Sequence, residues 1–141
     1  MRVFEDVHLG ETIGPVEHTF TLEAVKAFCN LWGQPGESRF TSPDVARREG
    51  LPGPIVPGIM SMAVLSRLLT DWAEGGELAS LDVIFRQPVP HHQPLRVVGM
   101  VTDTRAEGSR GLVEADVFLE RADGERLVTG KALVALPLRR P

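Results

Sequence analysis

Apolar positions follow helical spacing up to Gly75-Gly76 and a two-residue alternation beyond it. Behind Thr21, a hydroxyl residue suited to capping, Val25, Phe28, Cys29 and Trp32 recur at helical intervals and predict a first helix ending at Gly33. The turn-rich stretch "GQPGESRFTSPD" follows, and Ser42-Pro43 predicts a short second helix that stops at Gly50. From Gly58 to about Glu74, apolar residues from Ile59 to Trp72 cover nearly every side of a helical wheel, which predicts a helix surrounded by protein. At about 1.5–3 kcal/mol for each large aliphatic side chain buried, this helix forms the core.

Leu81, Val83 and Phe85 alternate with Asp82, Ile84 and Arg86, and Val113, Ala115, Val117 and Leu119 alternate with Glu114, Asp116, Phe118 and Glu120. Leu95 to Thr102 reads as a strand apolar on both faces, and Ala122-Asp123-Gly124 as a tight turn into a last strand, Arg126 to Leu136. Short turns between consecutive strands imply an antiparallel sheet, and one apolar helix before them implies that the sheet curls around it: an α+β fold.

The chain has 141 residues, enough for one compact domain, with positions 138–141 expected as a loose tail. Nineteen acidic against 15 basic residues, without a basic cluster beyond Arg139-Arg140, argue against a nucleic-acid partner. Cys29 is the only cysteine, so no disulfide forms within the chain. With no signal core near Met1 and no apolar run long enough to span a bilayer, a soluble, cytoplasmic protein is expected.

Several segments resemble the MaoC-like dehydratases and (R)-specific enoyl-CoA hydratases. Pro54-Ile55, then Gly58-Ile59-Met60, is similar to the Pro-Ile-x-His-Gly-Met that announces that family's central helix. "SPDVARREG" resembles its Asp-Pro-Glu-x-Ala segment, "VIFRQPV" its Val-x-Phe-x-x-Pro-Val strand, and "ADGERLVTGKALV" its closing hairpin. The resemblance implies a hot-dog fold, a sheet wrapped around Ile59 to Trp72. It also implies acyl-CoA or acyl-carrier-protein thioesters as ligands, and a homodimer or higher oligomer or a heterodimer with a catalytic homologue.

The family's proton chemistry is carried by an Asp and a His in Asp-x-Asn-Pro-x-His. Hydration of an enoyl thioester needs one group to take a proton from water while another proton reaches the alpha carbon, and such groups are worth about 10²–10⁴ in rate. In "GQPGESRF" the Asp position falls on Gln34 or Pro35, and the His position on Arg39 or Phe40, depending on the direction of counting. None exchanges a proton near neutral pH. Pro57 stands where the family has the His of its His-Gly pair, so it sets the backbone before Gly58 without a polar side chain.

The Gly58 N–H, at a helix start, remains able to meet a thioester carbonyl. Glu37 is the substitute catalytic carboxylate to weigh against a solvated loop residue, and Asp44 against an ordinary first-turn acid. Ser61 falls at a small polar position of the family's site or bonds a backbone carbonyl; Arg86 meets a ligand phosphate or is a plain surface arginine. His91-His92, between prolines, suit an inter-strand turn, and His8 and His18 are isolated, so neither a metal nor a cofactor is expected. Three readings follow: an acyl-thioester-binding subunit that is non-catalytic or chemically altered; a hydratase, dehydratase or thioesterase working through Glu37 and the Gly58 N–H; and, weaker, a structural dimer with no ligand.

Overall fold

The structure is a computed structural model that describes residues 1–140. Thr21 is extended (φ −94°, ψ 155°) and its Oγ1 accepts the Ala24 N–H, so helix α1 (Leu22–Leu31) starts at the hydroxyl cap. Ser42 does the same for Val45 at the head of α2 (Pro43–Arg48), with proline in the first turn where its missing N–H costs nothing. Helix α3 spans Gly58–Trp72.

Five strands follow or flank these helices: β1 (Thr12–His18), β2 (Glu77–Phe85), β3 (Leu95–Glu107), β4 (Arg110–Arg121) and β5 (Arg126–Pro137). All pairings are antiparallel, in the order β1-β3-β4-β5-β2, so β1 and β2 form the edges. The sheet curls about α3, which touches four of its strands. Alternation sets the sides: Val113, Ala115, Val117 and Leu119 of β4 and Val128, Val134 and Ala132 of β5 are buried in the same core cluster as Leu65 and Leu69 of the helix. The β4–β5 turn is built as read, with Gly124 at φ 92° and the Glu125 N–H bonded to Asp123.

Three features depart from the sequence reading. Helix α3 is not enclosed on all sides within the protomer: Ser61, Leu65, Leu68 and Leu69 are buried, while Ile59 is 48% exposed, because the sheet reaches one side of the helix only. Strand β3 is apolar on one face, with Leu95, Val97 and Val101 inward and Arg96 and Met100 outward. Strand β1 has no alternation to announce it, since Gly14-Pro15 and a register shift interrupt it; its pairing with β3 creates it. In the expected loose tail, the Arg139 N–H bonds Glu5 and its guanidinium bonds Asp6, while Pro141 lies outside the described residues.

Candidate functional site

The approach to α3 is held by backbone bonds to two other segments. The Ile55 N–H donates to the Arg39 carbonyl (3.0 Å) and the Val56 N–H to the Val89 carbonyl (2.8 Å). Pro57, buried with φ −56° and ψ 137°, turns the chain into the helix, and its carbonyl accepts from Met60 (3.0 Å) and Ser61 (3.4 Å). Its rigid φ suits that position. The amides of Gly58 and Ile59 have no acceptor among the described residues, so the helix dipole and two N–H groups are on offer at this end. Glycine at 58 lets the Phe85 ring pack over the helix start: a Cβ there would lie 2.8 Å from Cζ of Phe85 and would displace the ring.

A cavity of about 460 Å³ opens at this point, lined by Arg39, Phe40, Ile55, Gly58, Phe85 and Arg86 with the adjoining 87–89 segment. The structure therefore brings together Gly58, Arg86 and both residues counted as the family's His position. Arg39 pairs with Glu49 (3.1 Å) and lies 5.0 Å from the centre of the Phe40 ring. Arg86 is shared with a second cavity on the outer face of the sheet, where its Nε donates to the Thr129 hydroxyl (3.1 Å). The walls are largely apolar, the charges are cationic, and no carboxylate or imidazole of the described residues lines the space.

The other candidates lie elsewhere. Phe40 is held by tilted packing on Trp32 (6.4 Å between rings), which stacks on Phe28, so the end of α1 positions the altered loop. Within that loop, the Thr41 hydroxyl donates to the Gly36 carbonyl and accepts the Ser38 N–H. Gln34, Pro35 and Glu37 are exposed, and Glu37 lines a separate hollow of about 270 Å³ beside Lys26 and Cys29. Asp44 pairs with Arg47 on the surface of α2. Ser61 sits one turn inside α3, fully buried, and its Oγ has no hydrogen-bond partner, contrary to the carbonyl-bonded alternative.

Sequence reasoning placed His91 in a plain turn; it is 9% exposed and its Nε2 is 3.1 Å from the Ile55 carbonyl. Burial pulls its pKa below the usual histidine value, against the opposing pull of the Ile55 carbonyl. A Phe85 role was also missed, although its place in "VIFRQPV" is visible in the chain. Two cavities of similar size lie away from Gly58, one of about 480 Å³ on the outer sheet face and one of about 420 Å³ between α3 and β1. Among the described residues no cluster of three His, Cys, Asp or Glu is arranged to hold a metal ion, and no helix is long and apolar enough to cross a membrane.

The family model described as "MaoC like domain" matches residues 40–121, more than half of the chain. Among solved structures, the MaoC-like dehydratase from Rhodospirillum rubrum superposes with a TM-score of 0.86 at 20% identity, covering 100% of both chains. The (R)-hydratase from A. caviae involved in PHA biosynthesis gives 0.79 at 23% identity, covering 94% of this chain and 99% of that one. The HadBC (3R-hydroxyacyl-ACP dehydratase) complex from Mycobacterium tuberculosis gives 0.74 at 14% identity, covering 90% of this chain and 96% of the matched one. At such identities the likeness establishes the hot-dog fold. No curated protein matches the chain by sequence.

Proposed function

The chain belongs to the MaoC-like domain family, the hot-dog dehydratases related to enoyl-CoA hydratases, and from that membership we propose that it binds acyl thioesters without carrying the family's hydration chemistry. The observation that carries this reading is the composition of the cavity at Gly58: one residue with an unpartnered helix amide, largely apolar walls, two arginines and no lining carboxylate or imidazole. The Gly58 amide suits a thioester carbonyl, the walls an acyl group, and Arg86 a phosphate of the carrier arm. A guanidinium does not give up its proton in a protein, so nothing lining the cavity activates water.

Ile59 on the bare side of α3 and Phe85 (51% exposed) of the edge strand β2, both at the start of the helix, form a small apolar strip suited to a partner subunit. We assign that strip to a second hot-dog subunit, either a copy of this chain or a homologue with an intact Asp-x-Asn-Pro-x-His motif. The assembly of one solved relative as a complex supports the second choice.

The test is a turnover screen with crotonyl-CoA and 3-hydroxybutyryl-CoA on the purified homo-oligomer, run beside a calorimetric titration with crotonyl-CoA. Binding without interconversion is expected; Arg86→Ala should weaken crotonyl-CoA by roughly three- to tenfold and leave the phosphate-free N-acetylcysteamine thioester unchanged. Rapid interconversion by the pure chain would overturn the reading. If that activity disappeared in Glu37→Gln, the loop around Glu37 would have to close over Gly58, a geometry in which Glu37 is not found here.

A further inference from the structure

The turn between β2 and β3 is clamped from three sides. The His92 N–H donates to the Phe20 carbonyl (2.8 Å), Gln93 accepts from Arg121 (2.8 Å), and His91 meets Ile55. His92 takes φ 57°, a conformation that costs a non-glycine residue about 1–3 kcal/mol and persists where the surroundings over-determine it. The consequence of that kink is that the preceding side chain, His91, turns inward instead of lying on the surface.

Nε2 of His91 lies 3.1 Å from a backbone carbonyl, which only accepts, so Nε2 carries the proton. The Nδ1 atom is buried with no hydrogen-bond partner among the described residues. A bare Nδ1 is a neutral ring with a single job, because its one donor is spent on Ile55. The Phe40 carbonyl lies near the same ring without meeting hydrogen-bond geometry, so the imidazole stands where the altered loop and the approach to α3 come together. Ile55 also bonds Arg39 through its N–H, and Val56 bonds Val89. The carbonyl that meets this ring thus belongs to a residue that is itself tied to Arg39 and stands two positions before Pro57.

We propose that His91 is a positioning residue for the thioester-binding site, holding the Pro54–Pro57 segment through the Ile55 carbonyl so that the Gly58 amide faces the cavity. The role rests on the thioester-binding reading above, and it acts through the backbone. No part of it requires the imidazole to touch ligand.

Three measurements on the full chain test it. A long-range ¹H–¹⁵N spectrum of the wild-type ring should show the Nε2–H tautomer with Nδ1 bare; an Nδ1–H tautomer overturns the proposal. His91→Leu, which loses the donor, should move the Gly58 amide resonance and weaken crotonyl-CoA by about two- to tenfold, the range of one hydrogen bond. His91→Gln, whose side-chain N–H reaches the Nε2 position, should restore both. Equal Gly58 resonances and equal affinities in all three proteins would sink the idea, as would a loss of affinity that glutamine fails to rescue. Should His91→Leu not fold, the tautomer and the Gln variant decide the matter alone. A wild type that binds no crotonyl-CoA would remove the thioester reading while leaving the tautomer and the Gly58 resonance to judge the positioning role.

Discussion

Residues 54–58 and the end of the 34–40 loop, Arg39 and Phe40, meet at the same cavity, and the two segments are built on different terms. Pro54 to Gly58 are buried or half-buried and tied by backbone bonds to Arg39, Val89 and, through His91, the β2–β3 turn. Gln34 to Glu37 are all exposed, and the bonds of that loop run mostly within it or to the end of α1. The first segment is specified by packing and by main-chain hydrogen bonds that a side chain with a compatible φ leaves intact, so Pro57 is accommodated there. In the second, the exposed side chains of Gln34 to Glu37 contribute little to stability and are exchanged with little penalty to the fold. The two segments thus differ in how tightly the fold constrains them.

The largest test of that contrast is Val56→Ala. Val56 is 4% exposed and its loss of two methyl groups should cost about 1.5–3 kcal/mol, read as a lower midpoint in urea unfolding. An unchanged midpoint would mean that the approach to α3 is no better specified than the loop.

Acid sharpens the same contrast. Burial lowers the pKa of His91 and also of His18, the latter helped by Arg67, so the unfolded chain takes up these protons first. Stability is then complete above about pH 6.5, the ordinary histidine value, and falls as the pH drops below it, with a slope of at most ~1.4 kcal/mol per pH unit for each group, until the folded-state pKa is passed. Denaturation midpoints at pH 7.5, 6.5 and 5.5 check this, and His91→Gln should flatten part of the slope. A slope unaltered by that substitution would place the proton uptake elsewhere.

The smallest expected effect belongs to the loop. Glu37→Gln should change stability by less than about 0.5 kcal/mol and leave crotonyl-CoA affinity where it was. A measurable drop in either would show that Glu37 reaches beyond its own hollow.

Much of the architecture was legible because its causes are local. Thr21 and Ser42 cap their helices with their own hydroxyls, and β4 and β5 show on which side they are buried by alternation alone. Strand β1 was not legible, since Thr12–His18 carries no pattern and becomes a strand only by pairing with β3. At the site, the loss of the proton-transferring pair and the roles of Pro57 and Gly58 could be argued from residue types. The gathering of Arg39, Phe40 and Arg86 around Gly58 is a matter of tertiary placement, as is the separation of Glu37 from them.

By itself, then, the amino-acid order determined which segments are helix or strand after Thr21, which family the motifs resemble, and that "GQPGESRF" holds neither an Asp nor a His. Tertiary structure alone decided that one side of α3 stays bare and that Phe85 covers the start of that helix. It likewise decided that His91 leaves the surface to hold a carbonyl 36 positions earlier. The physical reason is range: caps and periodicity act over a few residues, whereas burial of a side chain depends on which distant backbone the sheet brings beside it.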